Sequence, residues 1–310
     1  MDKVTSRSVI GTYQVALSQD VGAGWLNDIS NYFPSDQAME TYAWLGMPPA
    51  FREWIGKRKV HKFREDFIEI RNLKYESTIE IEITDHRRDR FGLIQERVAE
   101  HVERAQTHFT SLISTLILNG ATGTAYDGQY FFDTDHETGS SGAQSNKINV
   151  DISALPAELH GSTTAPSPEE AAQAVDAAIA QIMSFVDDQG EPMNENADAF
   201  TVMAALPMAR VIAQGLSAPR GAGPGVQEVF EKVKVVGNTR LSSWTTQFAV
   251  FRTDSRIKSF IRQDEGGVTT SSKAEGSDFA HDNDAYEYGL RASRNVGYGR
   301  WENACHVTLT

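Results

Sequence analysis

Asp133, Asp135 and His136 place two carboxylates and an imidazole within four positions near the middle of the chain. Donors at that spacing can hold a divalent cation and activate a bound water, so a metal-dependent hydrolase is one reading. The competing reading is a turn in which Asp accepts hydrogen bonds from its own backbone. No second ligand cluster stands elsewhere to complete a coordination shell, and no metal ligand is assigned. Cys305 and His306 are a thiol and a base side by side. Neighbours on a strand point to opposite faces, so an inert buried thiol is expected. Eight histidines could serve a triad, but no G-x-S-x-G elbow aims a nucleophile. Gly221, Gly223 and Gly225 lack the preceding strand and following lysine of a phosphate loop. Asp187 and Asp188 close a helix, where the dipole disfavours them, and solvent exposure explains them better than catalysis. The expectation is no enzyme, no catalytic residue and no cofactor.

Composition narrows the alternatives. A chain of 310 residues can bury a sizeable core. No apolar run approaches the roughly 20 residues that span a bilayer, so no membrane partner is expected. Met1 to Asp20 lacks the charged start and apolar block of a secretory signal. A single cysteine makes no internal disulfide or redox pair and suits a reducing cytosol. A net charge of −13 argues against gripping DNA over the whole surface, and no basic patch interleaved with aromatics supports base-specific reading.

The elements that must position these residues centre on one stretch. Phe91, Ile94, Val98, Val102, Ala105, Phe109, Leu112 and Leu116 recur in steps of three and four, which predicts a continuous helix from Asp85 to Leu118, about 50 Å long. Asn119-Gly120 is expected to end it in a left-handed turn. Residues 1–48 form an arm with one short helix, Ser8 to Gln19. Between 49 and 84, Phe67–Tyr75 and the alternating Ile79, Ile81 and Ile83 predict a projecting β-hairpin turning at Glu76-Ser77. Beyond the long helix come a turn, a short strand and another turn over 119–136, and a polar loop over 140–164. A helix follows at Glu169–Val186, then a buried strand at Phe200–Ala205 and a helix from Pro207 stopped by Gly215. Val229–Val236 and Gln247–Arg252 read as strands, Asp264–Asp284 as a mobile segment, and 280–310 as closing strands. An arm and a ribbon that cannot bury themselves suggest assembly with copies of the same chain. A small homo-oligomeric binding protein is the milder form of that reading.

Three groups of residues resemble a known family. Tyr42-Ala43-Trp44-Leu45-Gly46-Met47-Pro48 with Phe51-Arg52-Glu53-Trp54-Ile55-Gly56-Lys57-Arg58 is similar to the opening motif of the Mu-like phage major head subunits. Asn119-Gly120, Tyr126-Asp127-Gly128-Gln129 and Phe131-Phe132-Asp133-Thr134-Asp135-His136 resemble the second motif. Tyr288-Gly289-Leu290-Arg291-Ala292, Asn295-Val296-Gly297-Tyr298-Gly299 and Trp301 resemble the third. The resemblance implies an α+β fold, the tailed-phage major capsid fold of the Hong Kong ninety-seven type. It implies an arm (1–48), an extended loop (49–84), a peripheral domain (85–164, with spine helix 85–118, and 280–310) and an axial domain (165–279). It also implies an icosahedral head shell around double-stranded DNA held without sequence-specific contacts, built in the host cytoplasm and residing in the virion. The implied partners are copies of the chain in pentamers and hexamers, a separate scaffolding protein and protease, a portal and a decoration protein. A nanocompartment shell of the same fold is the alternative. Arg52, Glu53, Trp54 and Arg58 are the expected subunit contacts at the base of the loop, with Trp54 as anchor and Arg52 as a bidentate partner for a carboxylate. Ile79, Ile81 and Ile83 are expected to join that interface.

Overall fold

The computed structural model describes residues 6–17, 24–42, 67–88, 92–139, 141–188, 190–217 and 232–310. In chain order its elements are α1 (Ser6–Leu17), α2 (Trp25–Ile29), β1 (Ser30–Pro34), β2 (Met39–Tyr42), β3 (Ile68–Arg71), β4 (Leu73–Glu82), α3 (Ile83–Arg88), α4 (Leu93–Gln106), α5 (His108–Leu118), β5 (Lys147–Val150), α6 (Pro168–Met183), β6 (Ala199–Ala204), α7 (Leu206–Ser217), β7 (Lys232–Gly237), β8 (Gln247–Arg252), β9 (Phe260–Lys273), α8 (Asp278–Asn283), β10 (Ala285–Tyr298) and β11 (Ala304–Leu309). They build a four-stranded sheet in the order β1-β9-β10-β4, a five-stranded sheet β5-β11-β8-β6-β7, and a β2-β3 ribbon. Among the described residues no helix is long and apolar enough to cross a membrane.

The long helix is interrupted. Gly92, with φ 69°, stands ahead of α4, and Thr107 separates α4 from α5. The Thr107 hydroxyl donates to the Glu103 carbonyl at 2.9 Å, and the Thr110 amide reaches back only three residues to the Thr107 carbonyl at 3.0 Å. A back-bonded threonine and a tightened turn are sufficient to jog a helix. The expected hairpin turn at Glu76-Ser77 is absent, because both residues lie inside β4. β4 pairs antiparallel with β10, Leu73 opposite Arg294 and Glu82 opposite Ala285. The alternation of Ile79 and Ile81 with exposed Glu80 and Glu82 is as expected, but Ile83 opens α3. All three isoleucines are half-buried against their own chain.

The segment 264–284 is ordered pairing and helix, not a mobile loop. Most of it lies in β9 and α8, with Gly266 and Gly267 at positive φ in a bulge opposite Ala292/Ser293. Residues 280–310 divide between both sheets, since β10 belongs to the four-stranded one and β11 lies within the five-stranded one. The polar stretch after 140 contributes β5, which pairs parallel with β11. Residues 119–136 form turns, with one bridge between Thr124 and Tyr130 and another from His136 to Gln144. Gly215 does not stop α7. It lies inside the helix, where a Cβ would run into the Pro168 carbonyl, so it lets α7 approach the start of α6. That start is a capping box. Ser167 Oγ accepts from the Glu170 amide at 3.2 Å, and Glu170 Oε2 accepts from the Ser167 amide at 2.7 Å.

Two apolar cores result. The larger holds α5, α6, α7 and the five-stranded sheet. The smaller gathers Val9 and Tyr13 of α1, Ile94, Val98 and Val102 of α4, and Tyr286, Tyr288 and Leu290 of β10. α1 therefore lies on its own chain, with Tyr13 Oη 3.0 Å from His101 Nδ1.

Candidate functional site

The residues singled out for chemistry meet at the corner where α5 ends. Asn119 has φ −88° and Gly120 is not left-handed, so the helix ends in tightened turns rather than the expected αL cap. Glycine is required at 120 because a Cβ would strike the ring of Phe132, and at 123 because it would strike Tyr298. Phe131 stacks on Tyr298 with ring centroids 4.7 Å apart. These close approaches bring the turn onto the end of β10.

His136 does not join Asp133 and Asp135 in an open metal site. Its Nδ1 lies 2.6 Å from Asp127 Oδ2, and its ring stacks at 3.9 Å on Trp301. The side chain is fully buried. Asp133 accepts from the Thr134 amide at 2.8 Å and the Tyr130 amide at 3.2 Å, as a turn aspartate does. Burial raises its pKa, but those two amides, a hydrogen bond with Asp135 and nearby His136 outweigh it and hold the carboxyl below its usual range. Asp135 is exposed. Among the described residues no three His, Cys, Asp or Glu side chains are placed to share a metal ion.

Around the Asp127–His136 pair lies a polar knot. The Tyr126 hydroxyl donates to Glu302 Oε1 at 2.5 Å. Burial raises the Glu302 pKa; Arg300 and the Tyr126 hydrogen bond only partly offset it. Asn146 Nδ2 donates to the carbonyls of Phe131 at 2.7 Å and Trp301 at 3.3 Å, while its Oδ1 accepts from the Asp133 amide at 2.9 Å. Asn194 Nδ2 donates to the carbonyls of Ile182 and Glu302, both at 2.8 Å, and its Oδ1 accepts from Arg252 at 2.8 Å. Cys305 is buried, and burial pushes its thiol pKa up, so it is no nucleophile. His306 packs against Phe132 and Trp244 instead. Burial, with a smaller contribution from Lys147, lowers its pKa to about 4.

The knot ties the turns at 126–146 and the Trp301-Glu302 link between β10 and β11 to the end of α6 and to β8. Within it His136 Nε2, Trp301 Nε1 and Glu302 Oε2 are buried without a hydrogen-bond partner among the described residues, while the remaining polar contacts are made to protein. Sequence reading found Tyr126, Asp127, His136 and Trp301 but missed Asn146, Asn194 and Glu302. The available signal for Glu302 was a lone carboxylate between Trp301 and the apolar pair Ala304-Cys305. Arg52, Glu53, Trp54 and Arg58 lie outside the described residues.

Comparison with known proteins bears on what such a corner serves. Residues 4–156 match the model of the family described as Mu-like prophage major head subunit gpT. The chain is 34% identical over 123 residues to the Mu-like prophage FluMu major head subunit of Haemophilus influenzae, covering 40% of each chain. It is 33% identical over 150 residues to the major capsid protein of Escherichia phage Mu, covering 46% of this chain and 49% of that one. The match thus spans less than half of either relative's length. In fold the likeness extends further. The chain from the procapsid of bacteriophage JBD30 aligns with TM-score 0.55 and 22% identity over 98% of this chain and 73% of that one.

Proposed function

We propose that this chain, related in its first half to the Mu-like major head subunits and folded throughout as a tailed-phage capsid subunit, is the major capsid protein of an icosahedral head shell. The observation that carries the reading is the whole-chain likeness to a procapsid subunit. The physical arrangement supports it. A shell subunit repeats one interface in slightly different surroundings, so it needs rigid lobes and projecting connections between them. The polar knot supplies rigidity at the corner. β2 and β3 pair antiparallel with Tyr42 opposite Ile68, and residues 43–66 join them in sequence.

In this reading the segment 43–66 reaches an adjacent subunit, and Trp54 with Arg52, Glu53 and Arg58 makes the contact. Ile79, Ile81 and Ile83 serve the chain's own smaller core first and offer only their half-exposed edges to a neighbour. Pentamers and hexamers, a separate scaffolding protein and protease, a portal, a decoration protein and packaged double-stranded DNA are the partners of such a shell. Axial and peripheral lobes correspond to the five-stranded and four-stranded sheets, with β11 in the first and β9 in the second.

The test is electron microscopy of the full chain produced with its scaffolding protein. Closed, uniform icosahedral particles are expected. A chain that stays monomeric at high concentration beside its scaffold would overturn the reading.

A further inference from the structure

The boundary between the two cores is marked in nearly every element that crosses it. On the spine, Ala105 packs with the smaller core and Phe109 with the larger, and the helix breaks between them at Thr107. On the edge strand, Ile70 belongs to the larger core and Ile79 to the smaller, and pairing is interrupted at Asn72, between β3 and β4. On β9, Ile261 lies in the larger core and Val268 against the smaller, and the bulge at Gly266-Gly267 falls between them. β10 alone runs through unbroken, from Leu290 in one core to Tyr298 in the other. Three interruptions at one level leave a single continuous strand to act as the leaf of a hinge.

The level itself is a layer of buried polar groups rather than apolar packing. Gln263 is fully buried. It donates to Asn72 Oδ1 at 2.8 Å and accepts from the Tyr42 hydroxyl at 2.9 Å. Arg262 donates to Asn27 Oδ1 at 2.6 Å and lies 5.7 Å from the Phe109 ring. Arg294 is 3% exposed and touches both sides. Its Nη1 donates to the Ala105 carbonyl at 3.2 Å, in the last turn before the spine break. Its guanidinium lies 4.7 Å over the ring of Phe109, just after the break, and its Nε is 3.6 Å from Asp264 Oδ1 on the near side of the bulge. A cavity of about 180 Å³ lined by Tyr75, Ala105, His108, Val268, Ala292 and Arg294 opens at the same level. Polar contacts are directional and few, and empty volume beside them gives the spine room to shift.

We infer that the two cores are separate bodies that turn about this layer, and that Arg294 is the positioning residue that sets the angle between them. The hinge stands on the fold alone. Its consequence, that Arg294 sets the curvature of an assembled shell, rests on the function proposed above. A planar guanidinium is suited to the task because it can hold a helix carbonyl, an aromatic face and a carboxylate at once.

The experiment is hydrogen–deuterium exchange on the full-length chain, followed by microscopy of particles, for wild type, Arg294→Met, Arg294→Lys and Asp264→Asn. In Arg294→Met, amides of 103–111 and 263–268 should exchange at least tenfold faster, with those of 174–182 and 248–251 unchanged. Arg294→Lys, which keeps the charge but loses the fork, should recover only part of that protection. Asp264→Asn keeps the side-chain shape and decides the matter if Arg294→Met does not fold. Variant particles should scatter in diameter where wild-type particles are uniform. Unchanged exchange at the boundary, or a uniform rise along the whole chain, overturns the hinge. Loosened exchange with uniform particles overturns the link to curvature. Wild type that forms no particles sinks the shell reading, while the exchange result still decides the hinge.

Discussion

His306 and Glu302, four residues apart at one corner, give the fold opposite dependences on pH. Burial disfavours the protonated imidazole of His306 and lowers its pKa from 6.5 to about 4. The unfolded chain then binds a proton that the folded one refuses, so stability is full above pH 6.5 and is lost as pH falls towards 4. That shift corresponds to a contribution on the order of 3 kcal/mol. Glu302 runs the other way. Its pKa is raised above 4.5, so its contribution is full below 4.5 and lost as pH rises through the folded value. We predict that His306→Gln removes part of the acid-side loss and Glu302→Gln part of the loss on the alkaline side. Urea midpoints of each variant minus wild type at pH 4.5, 6 and 7.5 measure both. Differences that do not vary with pH would refute the assignment.

At the scale of elements, Gly215 sets two effects against each other. Alanine in a helix interior gains up to about 1 kcal/mol over glycine. Here its Cβ would collide with the Pro168 carbonyl and press on Ala172, and overpacking of that kind costs roughly 1–3 kcal/mol. The clash is with backbone, so it should win. Gly215→Ala is predicted to lower the urea midpoint, and a raised midpoint would show that α6 and α7 can separate freely. The same glycine shows what local pattern conveys and what it hides. It ends an apolar repeat in sequence, yet α7 continues because a neighbouring helix needs the space. Thr107 was invisible for the opposite reason: the apolar step from Ala105 to Phe109 passes over it in register. The alternation of Ile79 to Glu82 announced a strand but could not announce β10 as its partner, some 200 residues away. Gly266-Gly267 read as a loop because glycine favours turns, whereas flanking strands hold the pair in a bulge. The candidate site was half legible: Tyr126 to His136 stood out by composition, while Asn146, Asn194 and Glu302 became meaningful only once the chain had brought them together.

Across the whole molecule the division into two cores governs how the chain should come apart. The smaller core rests on α1, α4 and the far halves of β4, β9 and β10, and a polar layer separates it from the larger one. Units whose buried apolar residues form two separate clusters open separately, at free energies below that of global unfolding. Leu290 is 2% exposed in the smaller core and Ile179 is fully buried in the larger. Truncating either to alanine costs about 2–5 kcal/mol locally, but the consequences should differ. Leu290→Ala should lower native-state exchange protection of the amides at 98–102 while those at 248–251 keep theirs. Ile179→Ala should lower protection at 248–251, and with it the protection of any amide that exchanges only by global unfolding. If both substitutions lowered both sets in step, the chain would be one cooperative unit, and the two-body description of this fold would fail.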